Sequence, residues 1–265
     1  MQTLVEQITS LAEREDVPVL GTAEAAVMDD EPPGARPSDL LPGAKGLLCF
    51  GLPVPAGVYQ QSIRATDAVW RSQSLYYRRL DGLSVRFAAL LEESGERALP
   101  VFGCAPFRLN ARGEIRGSLN QLRMGEAAGL GIVGRSGLLL HARYGPRLML
   151  GGVVTTAALP VMRRGTVTEP GCPPDCRICV DVCPVGAVAE DGSVDTNRCL
   201  GYAARTPLLP KLRYLALRRW RPQRAARLLN LTTVDEHTLH ACSRCVVRCP
   251  YAHQPVASAS GTSAT

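Results

Sequence analysis

The chain has no apolar run of the eighteen or so residues that a membrane-crossing helix needs; its best candidate, Met149 to Leu159, is short and interrupted by glycine. It also lacks an N-terminal stretch with a basic start, an apolar core and a small-residue cleavage site. An oxidising compartment is therefore not indicated, and the expectation is a cytoplasmic protein whose thiols are not disulfides. Lysine is nearly absent, with 2 beside 28 arginines. What is present describes a core-forming globular protein: 46% of the 265 residues are hydrophobic and 20% charged, enough for one large or two ordinary domains.

Eight of the ten cysteines fall into two sets of four, each closing in Cys-Pro. The first set is Cys172, Cys176, Cys179 and Cys183, followed by Pro184; the second is Cys199, then Cys242, Cys245 and Cys249, followed by Pro250. In a C-x2-C-x3-C-P run, a short loop presents thiolates to one iron–sulfur cluster while the cysteine before proline reaches a second cluster. Four thiolates in two pairs also satisfy a tetrahedral zinc site, but zinc ribbons bring their ligands as separate two-cysteine knuckles. Here three cysteines are crowded into eight residues in each set, which favours two 4Fe–4S clusters. By the crossing rule of two-cluster ferredoxins, Cys172, Cys176 and Cys179 share a cluster with Cys249, while Cys199, Cys242 and Cys245 share one with Cys183. Arg177, Arg244 and Arg248 are nearby charges able to tune cluster potential. Cys49 and Cys104 lie in apolar runs with no ligand-like neighbour and read as small core residues.

The charge is uneven. Leu200 to Arg248 holds ten Lys or Arg against Asp235 and Glu236, a net of +8, so the rest of the chain carries −2 of the total of +6. The basic character belongs to the insertion between Cys199 and Cys242, with Arg205, Lys211, Arg213, Arg218, Arg219, Arg221, Arg224 and Arg227. Such a face attracts tRNA, an acidic electron donor or an anionic membrane surface, and equally serves as a solvated helix.

Upstream, Thr3–Arg14 reads as a helix and Lys45–Leu52 as a buried strand. Val69, Tyr76, Leu80, Leu83, Phe87, Leu90 and Leu91 recur at helical spacing within residues 63–93, with Gly95 as a stop. Tyr76 and Tyr77 are possible proton donors, but aromatics on an apolar helix face read first as core. Leu99–Gly103 and Arg147–Thr156 are strand candidates, and Ser118–Ala128 a helix. Helices alternate with short strands, implying a layered α/β or α+β domain. Residues 256–265, rich in Ala, Ser, Gly and Thr, read as a disordered tail.

Gly129, Gly131 and Gly134 match the G-x-G-x-x-G dinucleotide fingerprint by letter. That fingerprint must follow a strand, open a helix and be followed by a ribose-binding acid. Here a helix precedes it, and no Asp or Glu occurs from Ala127 through Thr168. Dinucleotide binding is therefore not expected. The same stretch carries Arg135, His141, Arg143 and Arg147 beside glycines that let backbone amides approach an anion or a phosphate-bearing cofactor. A tight turn between packed elements is the alternative.

The segments Ala128–Leu140, Tyr144–Arg147 and Leu150–Thr156, followed by Cys172–Pro184, resemble the epoxyqueuosine reductase and reductive dehalogenase superfamily, and the resemblance covers roughly residues 42–250. It implies an α+β architecture: a nitroreductase-like α/β domain over residues 1–165, then a ferredoxin-type double 4Fe–4S domain over 166–255 with a basic helical insertion. It also implies an oxidoreductase that passes low-potential electrons from a ferredoxin- or flavodoxin-type donor to cobalamin or to a small-molecule substrate. Gly129, Gly131, Gly134, Arg135, Ser136, Tyr144 and Arg147 are the candidates to line that cavity. Epoxyqueuosine reductases carry a proton-donating aspartate about thirteen residues before the Ala-Gly-Leu-Gly stretch, and near that position this chain has Ile115, followed by Arg116-Gly-Ser-Leu119. The chain is accordingly expected to differ from them in substrate, or to reduce an acceptor protein without a substrate of its own.

Overall fold

The computed structural model describes residues 3–60, 65–103, 107–109, 113, 115–165, 171–205, 208–230, 239–240 and 242–252. Its framework is a five-stranded sheet in the order Ala98–Val101, Leu148–Thr155, Gly46–Pro53, Val19–Glu24 and Arg163–Arg164, with every neighbouring pair antiparallel. The central strand Gly46–Pro53 is buried for all but its last residue, as its unbroken apolar run requires. Side chains alternate across a strand, so Leu48, Phe50 and Leu52 enter one core and Leu47 and Cys49 the other.

The first core lies under the helices Leu4–Arg14 and Ala65–Glu93, where Ile8, Leu11, Leu80, Leu83, Phe87 and Leu91 meet the sheet. Phe50 and Phe87 pair with ring centroids 5.1 Å apart. The first helix begins where its sequence says it should. Thr3 and Glu6 form a reciprocal capping box, the Glu6 amide donating to Thr3 Oγ1 and the Thr3 amide to Glu6 Oε2. Tyr76 packs against this core and its hydroxyl donates to the Pro53 carbonyl at 3.0 Å, while Tyr77 lies against Gly103.

The opposite face carries the short helix Gln121–Ala127 and the ribbon formed by Ile132–Val133 and Leu139–Leu140. Met124, Leu130, Leu139, Leu148, Leu150 and Val154 fill the second core. The glycine motif leaves this helix and does not open one. Gly129, at φ +71°, takes the left-handed position after the last turn, and the Leu130 amide donates back to the Gly125 carbonyl at 2.8 Å. The dinucleotide geometry is absent from this segment for that reason.

Beyond the sheet, residues 171–205 and 242–252 carry the cysteines. Between them the basic insertion folds as the helices Leu208–Leu217 and Pro222–Asn230, which pack on each other. The second of these also meets the strand Arg108–Leu109. Among the described residues, no helix is long and apolar enough to cross a membrane. Cys104 and the expected tail at 256–265 lie outside the described residues.

Candidate metal centre

The two Cys-Pro segments are local copies of one another. The one-turn helices Ile178–Asp181 and Arg244–Val247 each end at a cysteine held before proline. The Cys183 amide donates to the Val180 carbonyl at 3.3 Å, and the Cys249 amide to the Val246 carbonyl at 3.1 Å. A residue preceding proline is pushed out of the helical region, which halts each turn at the same point. The two one-turn helices pack together, so the segments face each other.

A small, partly open cavity lies between them. It is lined by Cys172, Cys176, Cys179, Cys245 and Cys249, together with Ser136, Leu140, Ile178, Pro250 and Tyr251. Cys249, from the second motif, lies in the electrostatic field of Cys172 and Cys176, from the first. Cys199 correspondingly feels Cys242 and Cys183, and Cys245 feels Cys199 and Cys242. Cys249 thus neighbours first-motif thiols, while Cys245 both lines the cavity and neighbours Cys199 and Cys242. Among the described residues, no three His, Cys, Asp or Glu side chains converge on a single ion position. The thiols surround a space and not a point.

Burial, with the neighbouring thiols adding to it, pushes up the pKa of Cys179, Cys199 and Cys249, and that of Cys245 to about 11. Cys183 goes the other way. Desolvation opposes its ionisation, but the backbone amides of Val185, Ala187, Val188 and Gly186 together hold it below the ordinary thiol value. The Ala187 amide lies 3.2 Å from Cys183 Sγ, and the Arg135 amide 3.4 Å from Cys172 Sγ. Cys49 is fully buried among apolar side chains, its pKa driven far up by desolvation. It stands apart from the cavity lining.

The seven residues expected to line an N-terminal cavity divide among three places. Gly134, Arg135 and Ser136 adjoin the thiol cavity: a Cβ on Gly134 would sit 3.2 Å from Cys172 Sγ, the Arg135 guanidinium donates to the Pro174 carbonyl at 3.0 Å, and Ser136 is in the lining. Gly129 and Gly131 are closed off by Arg163 and by the Leu140 carbonyl. Tyr144 and Arg147 are buried, Tyr144 stacked on His141 at 4.9 Å and Arg147 donating to the Val54 carbonyl at 2.7 Å.

Arg177 pairs with Glu190 at 2.9 Å and Asp181 at 3.3 Å, so its charge is already compensated, and Arg244 and Arg248 are exposed. Sequence reasoning passed over Tyr251, whose hydroxyl donates to the Gly171 carbonyl at 3.2 Å and ties the ends of the two motifs together. Its signal was its place directly after Cys249-Pro250. Tyr59 was also missed. It is buried, lies in the field of both Arg147 and Cys245, and its hydroxyl is pushed up to about 12 by burial.

No family model matches the chain. Among curated proteins it is similar to an epoxyqueuosine reductase of Lactococcus garvieae, 32% identical over 135 residues, which is 51% of this chain and 32% of that protein. The match thus spans about a third of the relative's length. Among solved structures, an epoxyqueuosine reductase with a modified tRNA stem loop matches with a TM-score of 0.55 at 17% identity, covering 94% of this chain and 66% of the other. A reductive dehalogenase described in terms of B12-dependent dehalogenation matches with a TM-score of 0.53 at 18% identity, covering 85% and 35%. The structural likenesses establish a shared fold, and the superfamily resemblance read from the sequence recurs in both comparisons.

Proposed function

From its resemblance to the epoxyqueuosine reductase and reductive dehalogenase superfamily, we propose that this chain is an iron–sulfur oxidoreductase holding two 4Fe–4S clusters. One would be bound by Cys172, Cys176, Cys179 and Cys249, the other by Cys183, Cys199, Cys242 and Cys245. What supports this reading is that Cys249 lines one cavity with Cys172, Cys176 and Cys179, and that Cys183 acts on Cys199, as a crossed fourth ligand would. The crowding of three cysteines into eight residues in each motif speaks for a polynuclear centre over zinc, whose ribbon sites bring separate two-cysteine knuckles. Bound clusters supply single-electron transfer at low potential. The chain's own part is to present the thiolates, to aim the Arg135 and Ala187 amides at sulfur, and to shield the centre behind Leu140, Ile178 and Tyr251.

In this reading residues 1–165 form a nitroreductase-like domain and 166–255 a two-cluster domain, in a cytoplasmic protein. Of the residues offered for cobalamin, Gly134, Arg135 and Ser136 adjoin the thiol cavity and the others lie in the packed core. The acceptor is read as a corrinoid, a small molecule or a partner protein. Epoxyqueuosine itself is disfavoured by Ile115, which has no proton to give. Its backbone is held by Asn197 Oδ1 at 3.3 Å and Thr196 Oγ1 at 3.3 Å. With a tRNA stem loop carrying epoxyqueuosine as substrate, the cluster-loaded protein is expected to give no queuosine; turnover would return it to the epoxyqueuosine reductases.

The basic insertion supports a ferredoxin- or flavodoxin-type donor. Arg213, Arg218, Arg219, Arg221, Arg224 and Arg227 are all exposed, and Trp220 beside them is 82% exposed. A field of one sign accelerates encounter with an acidic partner and is screened by salt. Reversing three charges together, Arg218→Glu, Arg221→Glu and Arg224→Glu, should slow reduction by an acidic donor at low salt by about tenfold or more. Iron content should stay the same. An unchanged rate would remove the insertion from donor docking, and a steep salt-dependent loss of tRNA binding without anticodon preference would mark nonspecific charge attraction.

A further inference from the structure

Arg147 is a buried cation with no carboxylate to answer it among the described residues. It is 3% exposed and precedes the strand Leu148–Thr155. One terminal nitrogen donates to the Val54 carbonyl, while among the described residues Nε and the other terminal nitrogen have no hydrogen-bond partner. The groups that act on it electrostatically are the hydroxyls of Tyr59 and Tyr144. A buried, incompletely paired charge is costly, and proteins keep one where an opposite charge repays it.

The surroundings supply that charge when the thiols are loaded. Val54, Tyr59 and Val69 form a small core packed against Val246 and Val247, which lie between Cys245 and Cys249. Tyr59 lies within the field of both Arg147 and Cys245. On the same segment, a Cβ on Gly145 would run into the Tyr251 carbonyl, two residues after Cys249. Arg147 therefore shares neighbours with the Cys245–Tyr251 loop, through Tyr59 and through the Gly145 turn on its own segment. The contrast with Arg177 is sharp, because that guanidinium is exposed and pairs with two carboxylates.

Resting on the two-cluster reading above, we propose that Arg147 is a positioning and tuning residue that sets the potential of the cluster bound by Cys245. A cluster ligated by four thiolates gains one negative charge on reduction. A fixed buried cation nearby stabilises the reduced form more than the oxidised one and raises the potential. Its effect is large because the intervening Val54, Tyr59 and Val246 group excludes water.

The test is a redox titration, followed by electron paramagnetic resonance, of cluster-loaded wild type, Arg147→Gln and Arg147→Lys, with iron counted in each sample. Arg147→Gln should keep its iron and shift the reduction equilibrium of one cluster about tenfold toward the oxidised form, about 59 mV lower for one electron. Arg147→Lys should stay near wild type. Unchanged potentials in an iron-loaded Arg147→Gln would overturn the proposal. If Arg147→Gln loses iron, Arg147→Lys decides: full iron and a wild-type potential there support a role for charge. Loss of iron in both variants would overturn it, in favour of a structural role at the Val54 carbonyl. A wild type that takes up no iron–sulfur cluster would refute the underlying two-cluster reading, a separate outcome from any effect of Arg147.

Discussion

Replacing Cys249 with serine is expected to strip iron from Cys172, Cys176 and Cys179, and to leave the cluster of its sequence neighbours Cys242 and Cys245 in place. Iron should fall from about eight to about four atoms per chain. The reason is positional: Cys249 lines the cavity with the first-motif thiols and lies in the field of Cys172 and Cys176. Combination with other variants exposes the pairing. Cys249→Ser with Cys179→Ala should lose no more iron than either alone, because both empty the same site. Cys249→Ser with Cys242→Ala should lose nearly all, because the two act on different sites and add. The opposite pattern, with Cys249 and Cys242 non-additive, would mean that each motif closes on itself.

The second large effect is expected at Gly145. Its φ of +55° falls in the left-handed region, and its amide and carbonyl both bond to His141 across a tight turn, at 2.6 and 3.1 Å. A Cβ there would meet the Tyr251 carbonyl carbon at 2.5 Å. Gly145→Val combines a disfavoured backbone with a backbone collision, and should destabilise the folded protein by more than about 3 kcal/mol. The loop displaced holds Cys249, so cluster retention should fall with stability. Gly82→Ala is the control. Nothing lies within 4 Å of a Cβ at Gly82 within the long helix, and alanine there should leave iron unchanged and add up to about 1 kcal/mol. Normal melting of a cluster-loaded Gly145→Val would show that this turn does not brace the cysteine loop.

How legible these features were depended on how local their causes are. The helix Leu4–Arg14 carries its capping box in Thr3 and Glu6, and the strand Gly46–Pro53 is an unbroken apolar run between glycines, so both were readable. The helix after residue 63 was readable from its spacing, although its first residues lie outside the described part. The strand Val19–Glu24 was not read, because its burial on both faces comes from neighbours far away in sequence and its Gly21 weakens the pattern. Arg163–Arg164 was invisible for a related reason: two charged residues become a strand only by pairing with Leu20 and Gly21. At the site, the cysteine spacing announced the thiols. The place of Arg147 needed the fold, since nothing in Tyr144–Arg147 says that the guanidinium will be buried beside Val54 and Tyr59.

The most direct test of the account is the metal content of the protein purified without oxygen, with iron, acid-labile sulfide and zinc counted per chain. Two 4Fe–4S clusters predict about eight irons, about as many sulfides and no stoichiometric zinc. About two zinc ions per chain with no labile sulfide would contradict it, and would make the eight cysteines ligands of structural metal.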